Sequence, residues 1–382
     1  MNTPFQARCD ELAVRHGIPA LAAAMSVDGS VEVATAGCEP GTRFRIASIT
    51  KPFTALLALS LLDLDEATGV WPSDVRVRHL LSHTSGFDCE LPERDLARFG
   101  DGDEALASAV AELPAVDRLV GCDDIWSYAN TGYWLLGHLC AVKAGVTFEE
   151  ALERAVIAPF ALSATSFGEP DVDGTGQGAD EGPYPRARRP SGGLVSTVTD
   201  VLAFGTRLLT EPSFVRMAVP HGKPIGRVYG LGLFGERLGE VEAWGHSGSY
   251  GGFETSLLTI PARGAVFVGL TSSSNGQAAL DELTDGFFER VVGRRRRVAP
   301  FIELPAEVMG AFAGSYACSD AQYEVVPAEG GLLVRVGGEE LLVRPIAERT
   351  FRLVDGRDRM DFPRDGFARF GSRLARRVTR AG

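Results

Sequence analysis

The chain has 382 residues, of which 45% are hydrophobic and 23% are charged. This composition is ordinary for a globular protein with a large core, and it excludes a disordered, collagen-like or disulfide-scaffolded chain. Fifty acidic residues against 38 basic ones give a net charge of −12, which argues against a surface that binds nucleic acid. The length favours two domains, or one large domain with an appendage.

Cysteine usage and hydropathy bear on the compartment. The six cysteines are scattered without the spacing of a zinc site and are too few for a disulfide framework, so they fit a reducing environment. The apolar segment 18–27 follows Asp10 and Glu11 rather than a basic leader, and it is interpreted as a strand. No apolar run reaches the roughly 18 residues of a membrane span. These patterns predict a cytoplasmic protein with no membrane partner.

The first elements in chain order are a helix and a hairpin. Residues 5–16 show helical periodicity, and Gly17 is expected to end that helix. Two apolar runs, 20–27 and 31–36, flank the turn sequence Asp28-Gly29, which predicts a β-hairpin.

The middle of the chain is mainly helical. A long apolar helix is predicted over residues 48–64, with Pro52 in its first turn, where proline is tolerated. Further helices are predicted over residues 75–82, 103–113, 131–144, 148–158 and 199–209. The Gly, Pro and Asp-rich stretch 168–190 is predicted to be a long surface loop.

Strands return towards the C-terminus. Residues 253–260 and 265–271 are predicted strands joined by the turn 261–264, and a helix is predicted over 277–292. Beyond the arginine run 294–297, seven short alternating segments predict a small antiparallel sandwich or barrel: 314–318, 323–326, 332–336, 341–343, 351–354, 359–362 and 367–370. The predicted domains are therefore residues 1–298 and 299–382.

The sharpest local motif is Ser48-Ile49-Thr50-Lys51, an S-x-x-K at the start of a helix. Residues three apart share a helix face, so the Ser48 hydroxyl and the Lys51 amine can meet. A serine hydroxyl becomes a nucleophile when a neighbouring base takes its proton. Lysine can be that base only where a dry or electropositive environment lowers its pKa, and the positive end of the helix contributes to one.

Lysine usage adds weight to Lys51. Only three of the 38 basic residues are lysines, and the other two are Lys143 and Lys223. Arginine cannot lose its proton in a protein, whereas a buried lysine can. A lysine retained in an arginine-rich chain therefore points to proton transfer, although base composition of the genome also explains the arginine bias. An S-x-x-K by itself also fits an N-cap serine followed by a surface lysine.

Two further segments carry polar groups suited to acyl chemistry. Tyr128 and Asn130 form a Y-x-N just before a helix, where a phenol can relay protons and an amide can hold a substrate. His246 stands in the glycine-rich segment WGHSGSYGGF, whose backbone a substrate can approach closely. This histidine could orient the tyrosine or bind an anionic substrate group, and a structural role is the plainer alternative.

Taken in order, these segments resemble the serine β-lactamase and penicillin-binding-protein superfamily, in its class C β-lactamase, esterase and D-aminopeptidase branch. The resemblance covers roughly residues 44–271 and is carried by FRIASITKPFTALL, VRHLLSHTSGF, WSYANTGYWLLG, PSGGLVSTVTD, YGLGL and WGHSGSYGGFETSLLTIP. It implies an α+β fold with an antiparallel sheet flanked by helices and an inserted helical subdomain. The C-terminal segment is similar to the lipocalin-like β-domains of some members.

The resemblance also implies roles for individual residues. Ser48 would be the acylated nucleophile, Lys51 its proton acceptor, and Tyr128 the proton relay to the leaving group. Asn130 would hold the substrate amide and the lysine. In the third motif, His246 and Gly248 would bind substrate, and the backbone N–H groups of Ser48 and Ser249 would form the oxyanion hole.

One departure from the family pattern affects the expected substrate. Members that turn over penicillin usually carry Lys-Thr-Gly in the third motif, whereas this chain has His246-Ser247-Gly248. A histidine is a weaker, titratable partner for a substrate carboxylate. The sequence therefore favours a serine esterase, D-amino-acid peptidase or transacylase acting on a small ester, amide or peptide. β-Lactamase or DD-peptidase activity is the alternative, and no cofactor or metal is expected.

Other readings of the sequence remain open. The protein could be a non-catalytic sensor on the same scaffold, but all four of Ser48, Lys51, Tyr128 and Asn130 are present, which favours an enzyme. His79 and His83 are four residues apart and could share zinc, although no H-E-x-x-H motif accompanies them. The arginine run 294–297 is interpreted as a solvated helix end rather than a nucleic-acid or membrane contact. The loop 168–190 and the C-terminal domain are expected to shape the acceptor side of the site.

Overall fold

A computed structural model describes residues 4–69, 73–91, 96–179 and 182–378. The α-helices of this described chain are α1 (Phe5–His16), α2 (Thr50–Leu61), α3 (Val77–Ser82), α4 (Ala105–Ala111), α5 (Asn130–Ala144), α6 (Phe148–Leu152), α7 (Arg189–Gly192), α8 (Val198–Leu208), α9 (Pro212–Met217), α10 (Gly276–Val292) and α11 (Ala306–Ala311). None of them combines the length and the apolar character that crossing a bilayer requires.

Among the described residues, ten strands precede the C-terminal part of the chain. They are β1 (Leu21–Val27), β2 (Ser30–Ala36), β3 (Phe44–Arg45), β4 (Ser166–Phe167), β5 (Leu194–Ser196), β6 (Val228–Tyr229), β7 (Phe234–Leu238), β8 (Val241–Tyr250), β9 (Phe253–Ile260) and β10 (Ala265–Thr271). Seven form one antiparallel sheet in the order β2-β1-β10-β9-β8-β7-β6, and β3-β5-β4 form a small second sheet.

The N-terminal elements follow the sequence pattern closely. Helix α1 spans the predicted residues and ends at Gly17, whose φ of +61° places it in the left-handed region that glycine favours. In the β1–β2 turn, Asp28 and Gly29 both have positive φ, as a two-residue hairpin turn with the right-handed twist of its strands requires. The predicted helix and hairpin are confirmed.

The main sheet is covered by helices on both faces. Along β1, Ala22 and Ala24 pack into a large core with the helical insertion, whereas Leu21, Ala23 and Met25 pack into a second core with α1 and α10. This period of two is what a strand buried on both faces produces. The central helices α2 and α5 are buried nearly all round, which explains their continuous apolar sequence. The predicted antiparallel sheet flanked by helices is confirmed.

The C-terminal part of the described chain is a closed barrel of eight antiparallel strands. They are β11 (Gly314–Ala317), β12 (Gln322–Ala328), β13 (Gly331–Val336), β14 (Glu339–Ala347), β15 (Thr350–Leu353), β16 (Arg359–Asp361), β17 (Phe367–Phe370) and β18 (Arg373–Val378). Seven of them overlap the predicted segments. Sequence analysis missed β18, which closes the barrel by pairing with both β17 and β11. The domain boundary at residue 298 stays a prediction.

The barrel packs against the helical insertion through its last two strands. Leu374 is buried with Leu119, Val120 and Ile125. The buried Arg369 donates hydrogen bonds to the carbonyl oxygens of Trp126 and Lys223 and pairs with Asp361 within the barrel. These contacts hold the β17–β18 turn next to residues 126–130, where the Y-x-N motif lies.

Candidate active site

Ser48 lies in a sharp turn between β3 and α2. The turn is a single 3₁₀ turn, Ala47–Ile49, and the side chain of Ser48 remains partly accessible. Ala47, directly before it, has a φ of +44°, which is unfavourable for a residue with a side chain. Strand β8 passes so close that a Cβ on Gly248 would lie 2.8 Å from the backbone nitrogen of Ser48. The serine is therefore presented in a constrained turn against a glycine of the main sheet.

Lys51 lies in the first turn of α2, three residues after Ser48, and its side chain reaches back to the serine. Its Nζ donates a hydrogen bond to Ser48 Oγ at 3.0 Å and another to the carbonyl oxygen of Ser191 at 2.6 Å. Lys51 is fully buried, and this burial is the main cause that moves the pKa of its amine well below the usual value. A neutral amine within hydrogen-bonding distance of a serine hydroxyl can accept its proton.

Tyr128 faces the same two groups. Lys51 Nζ lies 4.7 Å from the centre of the Tyr128 ring, and the tyrosine is 6% exposed. Burial raises the pKa of its phenol well above the usual value, and a hydrogen bond with the Ser48 side chain opposes that rise. The phenol is therefore protonated at neutral pH, so it can donate or relay a proton but does not act as a tyrosinate base.

Asn130 makes different contacts from those that the family resemblance implied. Its amide nitrogen donates a hydrogen bond to Glu90 Oε1 at 2.6 Å, while the hydrogen bonds of Lys51 go to Ser48 and Ser191. Glu90 also pairs with the half-buried Arg188 at 3.0 Å. The expectation that Asn130 holds the lysine is corrected: Glu90 anchors its amide instead. Because the asparagine begins α5 beside Tyr128, it still borders the acyl site.

Strand β8 supplies the third motif. It pairs with β7 only as far as Gly245, whereas its pairing with β9 continues to Tyr250. The segment 246–249 therefore has one edge that β7 leaves uncovered, and this edge faces the Ser48 turn. Ser249 is exposed and donates its hydroxyl hydrogen to Glu254 Oε1 at 2.6 Å. The geometry brings the backbone of Gly248 to the nucleophile, and the oxyanion role of the Ser249 backbone stays a prediction.

His246 is buried, and its ring nitrogens are engaged by the protein. Nε2 lies 3.2 Å from the hydroxyl of Tyr229, and Nδ1 lies 2.6 Å from the carbonyl oxygen of Ser247. Burial lowers the pKa of this imidazole to about 3, so the ring is neutral across the physiological range. The contacts direct the ring towards Tyr229 rather than Tyr128, and the substrate-binding role of His246 stays a prediction.

The barrel contributes residues that sequence analysis did not assign to the site. The backbone N–H of Tyr128 donates to the carbonyl oxygen of Ser372, and the guanidinium of Arg373 lies 5.3 Å from the Tyr128 ring centre. Arg373 is held by Asp320 at 2.6 Å. Its positive charge lowers the pKa of both Lys51 and Tyr128. The segment RLARRV forms β18, but its three arginines obscure the alternation of apolar and polar residues that would have predicted a strand.

His79 and His83, which could have shared a zinc ion, each have other partners. His79 contacts the backbone nitrogen of Arg76 and the carboxylate of Asp123, and His83 accepts a hydrogen bond from the backbone of Ala129. His83 also packs on the Tyr128 ring with 4.2 Å between ring centres. Among the described residues, the group with metal-like spacing is Asp88, Cys318 and Asp320. Its carboxylates already bind Ser319 and Arg373.

Comparisons with known proteins agree with this fold. A family model described as Beta-lactamase matches residues 5–286. Penicillin-binding protein 4 of Amycolatopsis lactamdurans is 28% identical over 347 residues, which cover 75% of this chain and 88% of that protein. The structure of SurE with D-Leu superposes with a TM-score of 0.78 at 23% identity over 98% of both chains. A D-stereospecific amidohydrolase from Streptomyces sp. gives a TM-score of 0.62 at 26% identity over 74% of this chain and 99% of that chain.

The fold and the family match define the class: this protein is an enzyme of the serine hydrolase type. More particularly, the chain belongs to the Beta-lactamase family.

Proposed function

We propose that the protein forms an acyl-enzyme at Ser48 from an ester or amide and passes the acyl group to water or to an amine or alcohol. The observation that carries this proposal is the 3.0 Å hydrogen bond between Lys51 Nζ and Ser48 Oγ, made by a fully buried amine. Nucleophilic attack requires that the amine is neutral and that the hydroxyl is accessible to the substrate.

In the acylation step, Ser48 Oγ attacks the carbonyl carbon while its proton moves to Lys51 Nζ. The backbone N–H groups of Ser48 and Ser249 would stabilise the negative charge that develops on the carbonyl oxygen. As the tetrahedral intermediate collapses, the leaving nitrogen or oxygen takes a proton from Tyr128, which is replenished by the Lys51 ammonium. In deacylation, water or an acceptor amine attacks, its proton returns through the same groups, and Ser48 Oγ regains its hydrogen.

We assign the acyl group to a D-amino acid. Support comes from relatives: one solved neighbour holds D-Leu, and another is a D-stereospecific amidohydrolase. The β-lactam alternative is supported by the similarity to a penicillin-binding protein. Against it, the neutral His246 lacks the charge that a lysine in the third motif offers to the carboxylate of a penicillin.

Intact-mass spectrometry tests the proposal. The protein is exposed to matched activated esters of a D- and an L-amino acid and, separately, to benzylpenicillin. We expect an adduct from the D-ester that disappears in Ser48→Ala and persists in Ser60→Ala, a control in α2 whose hydroxyl donates to the carbonyl oxygen of Leu57. An adduct that survives in Ser48→Ala overturns the assigned nucleophile, and faster labelling by the L-ester or by penicillin overturns the assigned substrate. Product analysis with and without an added amine separates hydrolysis from transfer.

A further inference from the structure

A large cavity lies beside the candidate active site, between the main sheet, the arginine run 294–297 and the barrel. Its volume is about 1030 Å³, and its wall includes Tyr128, His246 and Ser247. In the described part of the chain, nine arginines and two acidic residues, Glu236 and Asp358, line this cavity. Such a bias is unexpected in a protein with a net charge of −12. The mechanism proposed above uses none of these arginines.

Some of the arginines are neutralised by acidic groups outside the cavity. Arg295 pairs with Glu289, while Arg296 and Arg357 both pair with Asp285. The Arg295 and Arg296 pairs tie the segment after α10 to that helix, and the Arg357 pair ties the barrel to it. They therefore explain part of the arginine run, but not the excess of positive charge.

Three others, Arg227, Arg352 and Arg359, converge without an ion pair to any acidic side chain among the described residues; we call them the arginine trio. All three side chains line the same cavity. Burial and the positive charges of Arg227 and Arg352 lower the pKa of Arg359, and Glu236 opposes that shift. A methyl group at Gly226 would overlap Arg359 Nη1, so this guanidinium is packed against the loop that carries Arg227.

The trio is held in place by apolar and backbone contacts. Arg352 packs over the Phe301 ring at 4.2 Å and donates Nη1 hydrogen bonds to the carbonyl oxygens of Leu353 and Gly356. Its Nε is buried and has no hydrogen-bond partner. Arg227 lies 5.8 Å from the Phe234 ring centre. Three guanidiniums without a counter-charge along the wall of one cavity repel one another, and a bound anion would offset that repulsion.

We propose that the arginine trio binds a phosphate group carried by the substrate, on the leaving-group or acceptor side of the acyl transfer. Guanidinium forks match the oxygens of a phosphate and bind them in pairs, and several of them favour a multiply charged group over one carboxylate. A molecule seated in the cavity has one end at Tyr128 and His246, where the leaving group would depart. The link to acyl transfer rests on the proposed function, whereas the anion site itself does not.

The first test measures binding without turnover. Isothermal titration of the intact protein with inorganic pyrophosphate should give one saturable site that weakens as salt is raised. The single variants Arg227→Gln and Arg359→Gln should each weaken binding about tenfold or more, the factor expected for a lost charge-assisted hydrogen bond. Arg335→Gln is the matched control, because it removes one arginine charge from an exposed barrel position paired with Glu324 and Glu340. Unchanged binding in the trio variants, or citrate binding as tightly as pyrophosphate, overturns the phosphate site.

Folding of the variants is checked by thermal melting. Because Arg227 and Arg359 form no ion pair with an acidic side chain among the described residues, replacing either should leave the melting temperature unchanged or raise it. A lower melting temperature together with normal pyrophosphate binding would assign the trio a structural role and overturn the proposal.

The second test asks whether the cavity binds part of the substrate during the reaction. Esters of one D-amino acid are made with glycol leaving groups of increasing length, each with and without a terminal phosphate. At the matching length, the phosphate should lower KM about tenfold in the wild type and have no effect in Arg359→Gln. If pyrophosphate binds but no phosphorylated ester has a lower KM, the phosphate is not part of the substrate. Failure of the Ser48 adduct experiment would instead overturn the acyl transfer while leaving pyrophosphate binding intact.

Discussion

The guanidinium of Arg373, on the last strand of the barrel, lies 5.3 Å from the ring centre of Tyr128, on the helical insertion. The barrel thus places a half-buried positive charge beside the proposed proton relay. Since that charge favours the neutral amine of Lys51, the barrel acts on the acid–base chemistry as well as on the shape of the site.

Replacing Arg373 with methionine should shift the acid limb of the pH profile. The proposed base works as a free amine, and Arg373 helps to lower its pKa, so Arg373→Met should raise that pKa and move the limb to higher pH. Arg373→Lys, which keeps the charge, should stay close to the wild type. The measurement is kcat/KM against pH with an activated ester; an unmoved limb in Arg373→Met would assign the arginine to packing alone.

Replacing Lys51 with arginine should almost abolish turnover. Arginine preserves the positive charge but cannot accept the proton of Ser48, and the loss of a general base costs between about 10² and 10⁴ in rate. Burst kinetics with an activated D-amino-acid ester would measure acylation directly. Near-normal acylation in Lys51→Arg would show that another group deprotonates the serine.

Replacing Lys51 with methionine should stabilise the fold at neutral pH. The native state holds this amine with a lowered pKa, so between that pKa and the unfolded value near 10.5 the unfolded chain binds more protons. Wild-type stability therefore rises with pH across this window. We expect Lys51→Met to melt at least about 2 °C higher at pH 7, with a gap that narrows towards pH 10. A gap that is constant with pH would indicate a packing effect.

Adding a methyl group at Gly248 should slow acylation. The new Cβ would lie 2.5 Å from the carbonyl oxygen of Ile46 and 2.8 Å from the nitrogen of Ser48, both backbone atoms that cannot rotate away. A displacement of this size at a reacting group costs about 10² in rate. In Gly248→Ala we expect kcat to fall by about that factor. Gly264→Ala, where a Cβ meets nothing within 4 Å, controls for glycine replacement, although its positive φ of +56° lowers stability. A normal kcat in Gly248→Ala would remove the backbone of β8 from the reaction.

The local elements could be predicted from sequence because their determinants are local. Helix α1, the Asp28-Gly29 hairpin and strands β9 and β10 each carry their own periodicity and turn residues. The S-x-x-K geometry also follows from one helical turn, and Lys51 meets Ser48 as expected.

The missed features depend on contacts between distant parts of the chain. Asn130 binds Glu90, forty residues earlier, and Arg373 reaches Tyr128 only because β18 closes the barrel. His246 is neutral because it is buried, and its neighbours in the sequence do not indicate that burial. The sequence motifs therefore indicated which residues lie close together. They did not indicate that His246 is neutral or that Arg373 of the barrel lowers the pKa of Lys51.

The closure of the barrel has a consequence for how activity can be lost. Strand β18 pairs with both β17 and β11, and it carries Arg373 directly after Ser372, whose carbonyl holds the backbone of Tyr128. If the barrel opens where β18 pairs with β17 and β11, Tyr128 loses its contacts with Ser372 and Arg373. The seven-stranded sheet and its two cores can remain folded. Activity should therefore be lost at a lower denaturant concentration than the far-ultraviolet circular dichroism of the whole chain. Turnover would then measure whether β18 is still in place.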